Sequence, residues 1–305
     1  MAATKTGHVR IGISGWRYDG WRGRFYPAGW PQKRELEYAS GAVQTIEING
    51  THYSLQSPRS FRSWYDETPE EFVFSVKGAR YLTHMLRFRD ETATAACANF
   101  FAQGLLALDE KLGPIVWQFS PTYTFDRERV ERFLALLPRD TEAALRLAKR
   151  HDARVKSPYL QIDRCRPMRH AMEIRHDSFM VPEFVSLLRR ENVALVISDS
   201  TQLWPQVEDL TADFLYLRLH GTQGRYAGSY DNAALDRWAS RLREWSRGAQ
   251  PDDAKLIAPQ YAPRRRASRD VFCYFDNDVK SDAPFDAQSL MEKLGSAQTR
   301  IKPSV

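Results

Sequence analysis

Short runs rich in β-branched and aromatic residues recur along the chain: VRIGIS (9–14), VQTIEI (43–48), FVFSVK (72–77), PIVWQF (114–119), AMEIRH (171–176), VALVIS (193–198), FLYLRLH (214–220) and VFCYF (271–275). Each has the length and residue types of a β-strand, and most are apolar on both faces, as strands covered on both sides must be. Between them, apolar positions fall at helical spacing over 91–112, 127–137, 141–150, 182–191, 234–245 and 287–294. Strand and helix thus alternate about eight times. That order predicts a parallel sheet covered by helices and closed into a barrel, a single (β/α)8 TIM-barrel-like domain over residues 1–305. An open dinucleotide-binding sheet fits less well, because GISGWRYDGW after the first strand lacks GxGxxG spacing. The stretch from about 248 to 269 reads as an insertion in a helix-to-strand connection.

Such barrels build their sites from the C-terminal ends of the strands and the loops that follow. The rule selects Ser14 to Trp16, Glu47, Asn49, Lys77, Gln118, Glu173, Arg175, His176, Asp199, Arg218, His220 and Asn277. Side chains two apart on a strand share a face, so Glu47 with Asn49, Glu173 with Arg175, and Arg218 with His220 project as pairs. His176 has the other parity and joins its neighbours only if the chain turns. Arg175 and Arg218 suit bidentate capture of a phosphate or carboxylate, and Lys77 adds a point charge. His220 and His176 are the proton-transfer candidates, with Glu47 and Glu173 as acid and base partners. Trp16, Tyr18, Tyr53 and Tyr226 are rings for ligand contact, whereas Trp21, Phe25 and Tyr26 read as packing of a lid.

Buried ion pairs among these acids and bases are the competing explanation, since a paired charge is tolerated in a core where an unpaired one is not. The sharpest rival is a metal-dependent hydrolase or isomerase using Glu47, Glu173, Asp199, His176 and His220 as ligands. The intercalated Lys77, Arg175 and Arg218 argue against it by repelling a cation, and no cofactor is expected.

Charge and composition narrow the partners. A net charge of +6 and a pI of about 9.2 favour an anionic small molecule or nucleic acid. The basic run YAPRRRASRD (261–270) precedes the last strand and falls on the opposite face, as a solvated connection that forms an outer patch with HDARVKS (151–157) and RCRPMRH (164–170). No apolar run approaches the roughly 18 residues of a membrane helix. MAATKTGHVR has no apolar secretory core, so a cytoplasmic protein is expected. Cys97, Cys165 and Cys273 lack metal or redox spacing and read as core or incidental thiols.

The motifs GISGWRYDGWRGRFYP, IEINGTHYSL, SWYDETPEEFVFSVK with a following LTH, LGPIVWQFSP, HAMEIRHDSF, FLYLRLHG and VFCYFDND occur in this order. Together they resemble the YecE-like family, a domain of unknown function numbered seventy-two, from about Ile11 to Leu294. The resemblance implies a TIM barrel and no established activity. It also implies polar roles for Trp16, Tyr18, Glu47, Asn49, Tyr53, Lys77, His84, Gln118, Glu173, Arg175, His176, Arg218, His220, Gly221 and Asn277. Where that family often carries paired asparagines after the last strand, this chain has Asp276 then Asn277. The resulting expectation is a barrel that binds an anionic ligand (phosphorylated, nucleotide-like or nucleic acid), with metal-independent acid/base chemistry as one use and nucleic-acid binding without catalysis as another.

Overall fold

A computed structural model describes residues 6–87, 92–201, 203–223, 226–278 and 281–296. Its eight strands are β1 (Val9–Ser14), β2 (Thr45–Ile48), β3 (Val73–Lys77), β4 (Leu112–Gln118), β5 (His170–Glu173), β6 (Ala194–Asp199), β7 (Phe214–Leu219) and β8 (Asp270–Phe275). They are parallel neighbours in chain order and close into a barrel, the (β/α)8 arrangement that the alternating pattern predicts. The chain divides into two compact units, residues 1–47 with 180–305, and residues 48–179.

In the first unit β1 pairs with β2 and β8, and β7 pairs with β6 and β8. The register sets Ser14 beside Glu47 and Ser198 beside Arg218, so polar side chains cluster at the strand ends. Helix α1 (Glu35–Ala42) precedes β2, while α7 (Pro182–Glu191), α8 (Asn232–Ser246) and α9 (Asp282–Leu294) cover the other strands. In α8 the buried residues Leu235, Trp238, Ala239, Leu242 and Trp245 recur at helical spacing, and the Asp231 carboxylate caps its first turn by accepting from Ala234 N at 2.7 Å.

In the second unit β4 pairs with β3 and β5. Around it lie α2 (Gly50–Tyr53), α3 (Pro58–Asp66), α4 (Thr92–Ala102), α5 (Arg127–Leu136) and α6 (Thr141–Ala148). Trp117 of β4 is packed by Phe100, Phe133 and His170. Its indole donates to His170 Nδ1 at 3.2 Å, and His170 Nε2 lies 2.8 Å from the Pro138 carbonyl. Burial pushes the His170 pKa down to about 4, so this ring is a neutral core histidine. It therefore leaves the expected outer basic patch, to which its RCRPMRH segment was assigned.

The insertion before β8 forms neither helix nor strand and is tied down from within. Arg269 is buried and donates to the carbonyls of Ala212, Gly248 and Arg264, at 3.3, 2.7 and 2.6 Å. The run at 261–270 thus ends in a structural arginine, not a solvated one. Three further differences from the sequence pattern appear. Strand β5 stops at Glu173, short of Arg175 and His176. The helical stretch expected over 91–112 breaks at Gly104, whose φ of 124° ends α4 and starts a 3-10 segment over Leu105–Lys111; its first residue, 91, lies outside the described residues. Helices α1 to α3 were not foreseen.

Candidate functional site

The first unit carries a buried ionic network at the ends of β1, β2, β7 and β8. Arg218 Nη2 lies 2.9 Å from Glu47 Oε1, 2.8 Å from Asp276 Oδ2 and 3.2 Å from Ser14 Oγ, and its Nε lies 3.1 Å from Glu47 Oε2. Tyr216 and Ser14 donate their hydroxyls to the two Glu47 oxygens at 2.6 and 2.7 Å. Glu47 and Arg218 are both fully buried, which is tolerable only because each charge is matched and hydrogen-bonded. Asp276 serves a second partner: His220 Nδ1 stands 3.0 Å from the same Oδ2. The imidazole is held edge-on between Trp204 and Tyr226, with ring centroids 5.5 and 5.4 Å away.

Two residues beyond Asp276, the Asp278 carboxyl is pushed well above the usual carboxylate range by burial and by the Asp276 charge, with the Tyr18 hydrogen bond opposing. The Tyr18 hydroxyl donates to the Ser14 carbonyl at 2.5 Å, and its ring lies tilted against Trp21. Trp16 is buried, and its carbonyl accepts from Tyr26. Trp21, Phe25 and Tyr26 are buried against one another, the lid packing read from the sequence. Burial raises the Asp199 carboxyl, with Tyr230 and His220 opposing. Asn277 is fully buried, and its amide donates to the Gly228 carbonyl and to Asp286 at 3.0 and 2.8 Å. Asp286 in turn accepts from Ser229 Oγ and Tyr230 N, so Asn277 sits in a brace for the loop after β7. Gly221, which opens that loop, has φ of 95°, and a Cβ there would lie 2.3 Å from the Ala227 carbonyl oxygen.

The second unit assembles a different set. Arg175 folds back from beyond β5, and its Nε and Nη2 donate to Glu173 Oε1 at 2.9 and 2.8 Å; Gln118 donates to Oε2 at 2.9 Å. Lys77 is buried at the end of β3. His84 lies in a six-residue π-helical turn over Tyr81–Leu86, a geometry frequent at functional sites. Its pKa is lowered to about 4 by burial and then by the charges of Arg175, Lys77 and Arg80, with Glu173 opposing. His176 Nδ1 accepts from Ser178 N at 3.1 Å, within a local turn over Asp177–Phe179. Asn49 precedes α2, and Tyr53 at its end is 68% exposed. Among the described residues, no group of three or more His, Cys, Asp or Glu side chains is placed to hold a metal ion.

The sequence model of the family described as "Protein of unknown function DUF72" matches residues 10–305. The chain belongs to this family.

Among relatives, it is 23% identical to the UPF0759 protein YunF of Bacillus subtilis (strain 168), over 97% of this chain and 98% of that one. Among solved structures, a DUF72 family protein of Thermotoga maritima MSB8 superposes with a TM-score of 0.68 at 23% identity, covering 94% of this chain and 99% of that one. A DUF72 family protein of Enterococcus faecalis V583 gives 0.66 at 17% identity, covering 97% and 99%. At these identities the structural likeness speaks for the fold. None of the described helices is long and apolar enough to cross a membrane.

In this DUF72 chain the acid after the last strand has a physical consequence. An asparagine at 276 would be neutral, whereas Asp276 supplies the second acid to Arg218 and the carboxylate beside His220. The strand-end rule does not select Tyr216, Asp278, Asp286 or Arg80. Arg80 and Asp286 carry no signal, because each reaches its neighbours from beyond a strand end.

Proposed function

We propose that this DUF72 protein binds an anionic ligand, phosphorylated or nucleotide-like, in residues 48–179, with Lys77, Arg80 and Arg175 supplying the positive charge. The observation that carries this reading is the neighbourhood of His84, where the charges of Arg175, Lys77 and Arg80 oppose its protonation and that of Glu173 favours it. Burial first and these cations second keep the half-buried imidazole neutral at pH 7, and an added anion would offset the cations' share. The π-helical turn that holds His84 and the overall positive charge point the same way. Nucleic acid is the larger form of the same ligand chemistry, with phosphate contacts that weaken steeply in salt.

A second reading, acid/base catalysis without metal, is favoured by the first unit: Asp278 is raised while His220 Nδ1 stands 3.0 Å from Asp276. Titratable neighbours whose environments differ in this way are the usual makings of an acid and a base. For the binding reading, calorimetric titration with inorganic phosphate and pyrophosphate is the test. Arg80 is exposed, so Arg80→Ala keeps the fold, and it is expected to weaken binding roughly tenfold. No binding by the parent protein, or equal binding by Arg80→Ala and Lys77→Met, would overturn the proposal.

A further inference from the structure

Beside the cationic set the second unit holds a cavity of about 310 Å³ whose walls include Thr51, His52, Tyr53, Tyr81 and Asn99. That volume is at the small end of ligand pockets, about 300–1,000 Å³, and suits one ring system. Three of its lining residues are exposed hydrophobics: Tyr53 at 68%, Leu55 at 39% and Tyr81 at 37%. Exposed rings scattered singly need no explanation, but two tyrosines and a leucine on one concavity form an apolar surface open to a flat partner.

The polar groups on the walls have defined senses. His52 Nδ1 lies 2.8 Å from the Gly78 carbonyl and so carries the ring proton. Asn99 Oδ1 accepts from Asp152 N at 2.9 Å, so this amide presents its NH2 as a donor. Polar side chains on the wall of an aromatic cavity suit the edge of a heterocycle, which carries donors and acceptors. The same backbone joins the cavity to the cations. Thr51 donates to the Lys77 carbonyl at 2.7 Å, His52 bonds to the next carbonyl, and the His52 and His84 ring centroids are 5.3 Å apart. The π-helical turn contributes Tyr81 to the cavity wall and carries His84 three residues on.

We infer that the ligand is a nucleoside monophosphate, its base between Tyr53 and Tyr81 in this cavity and its phosphate toward Lys77, Arg80 and Arg175. This rests on the anion-binding reading above and adds the base. Both tyrosines are exposed, so Tyr53→Ala and Tyr81→Ala should fold as the parent does. The experiment titrates the four common ribonucleoside 5′-monophosphates against ribose 5-phosphate, all at one ionic strength. At least one nucleotide is expected to bind about tenfold tighter than ribose 5-phosphate, the range of one stacked base. Tyr81→Ala or Tyr53→Ala should erase that difference while leaving ribose 5-phosphate binding unchanged. If ribose 5-phosphate binds and no nucleotide exceeds it, or if both tyrosine variants keep the difference, the base site is wrong and the anion reading stands. If no phosphate compound binds at all, both fall together.

Discussion

Glu47 and Arg218 show what a buried charge demands of its surroundings. Two hydroxyls and a guanidinium occupy both carboxylate oxygens, and two acids share the guanidinium. Removing the guanidinium would strand two acids away from water. Arg218→Met is expected to cost about 3–5 kcal/mol of stability in urea denaturation, whereas Tyr216→Phe should cost only about 1 kcal/mol. Equal, small losses for both would show that the network carries little. The polar residues on strand ends were legible in the sequence because strand parity and the barrel rule locate them without any knowledge of partners. Their partners were not legible. Asp276 reaches Arg218 from 58 positions away in the sequence, since 276 − 218 = 58, and nothing local marks the contact.

At the scale of elements, all eight strands stand out in the sequence because each is a short apolar run ended by polar or turn residues. Helices α1, α2 and α3 escape for a physical reason. Helix α3 is nine residues long and buries only Phe61, so its stripe of Phe61, Trp64 and Tyr65 is short, and its start is set by Pro58 and by Ser57, whose side chain accepts from Ser60 N at 3.1 Å. The π-helical turn has no sequence signature at all. Gly78, the residue after β3, is fixed by packing: a Cβ there would lie 2.2 Å from the Trp117 ring. Trp117 is itself locked by Phe100, Phe133 and His170 and has little room to yield. Gly78→Ala is therefore expected to cost about 1–3 kcal/mol through overpacking. The same shift would displace the His52 bond to the Gly78 carbonyl, so ligand affinity should fall with it. Unchanged melting of Gly78→Ala would contradict this packing account.

For the whole molecule, family membership and barrel closure agree with the alternating pattern, while the activity has to be argued from clusters. The net charge of +6 is a weak indicator by itself, because several surface arginines are neutralised close by, as Arg166 is by Asp163 and Arg154 by Asp152. What distinguishes His84 is that burial and the charges of Arg175, Lys77 and Arg80 act together against its protonated form. His84 is neutral down to about pH 4 when folded and titrates near 6.5 when unfolded. Between those values the unfolded state binds the extra proton, so stability present above pH 6.5 is lost as the pH falls toward 4. An anion bound beside Lys77, Arg80 and Arg175 favours the protonated ring and reverses part of that shift. The direct measurement is an NMR titration of the His84 imidazole with and without saturating inorganic phosphate, with chloride matching the ionic strength. The account predicts a rise of about one pH unit or more in the His84 pKa when phosphate is present. An identical titration in phosphate and chloride would contradict it.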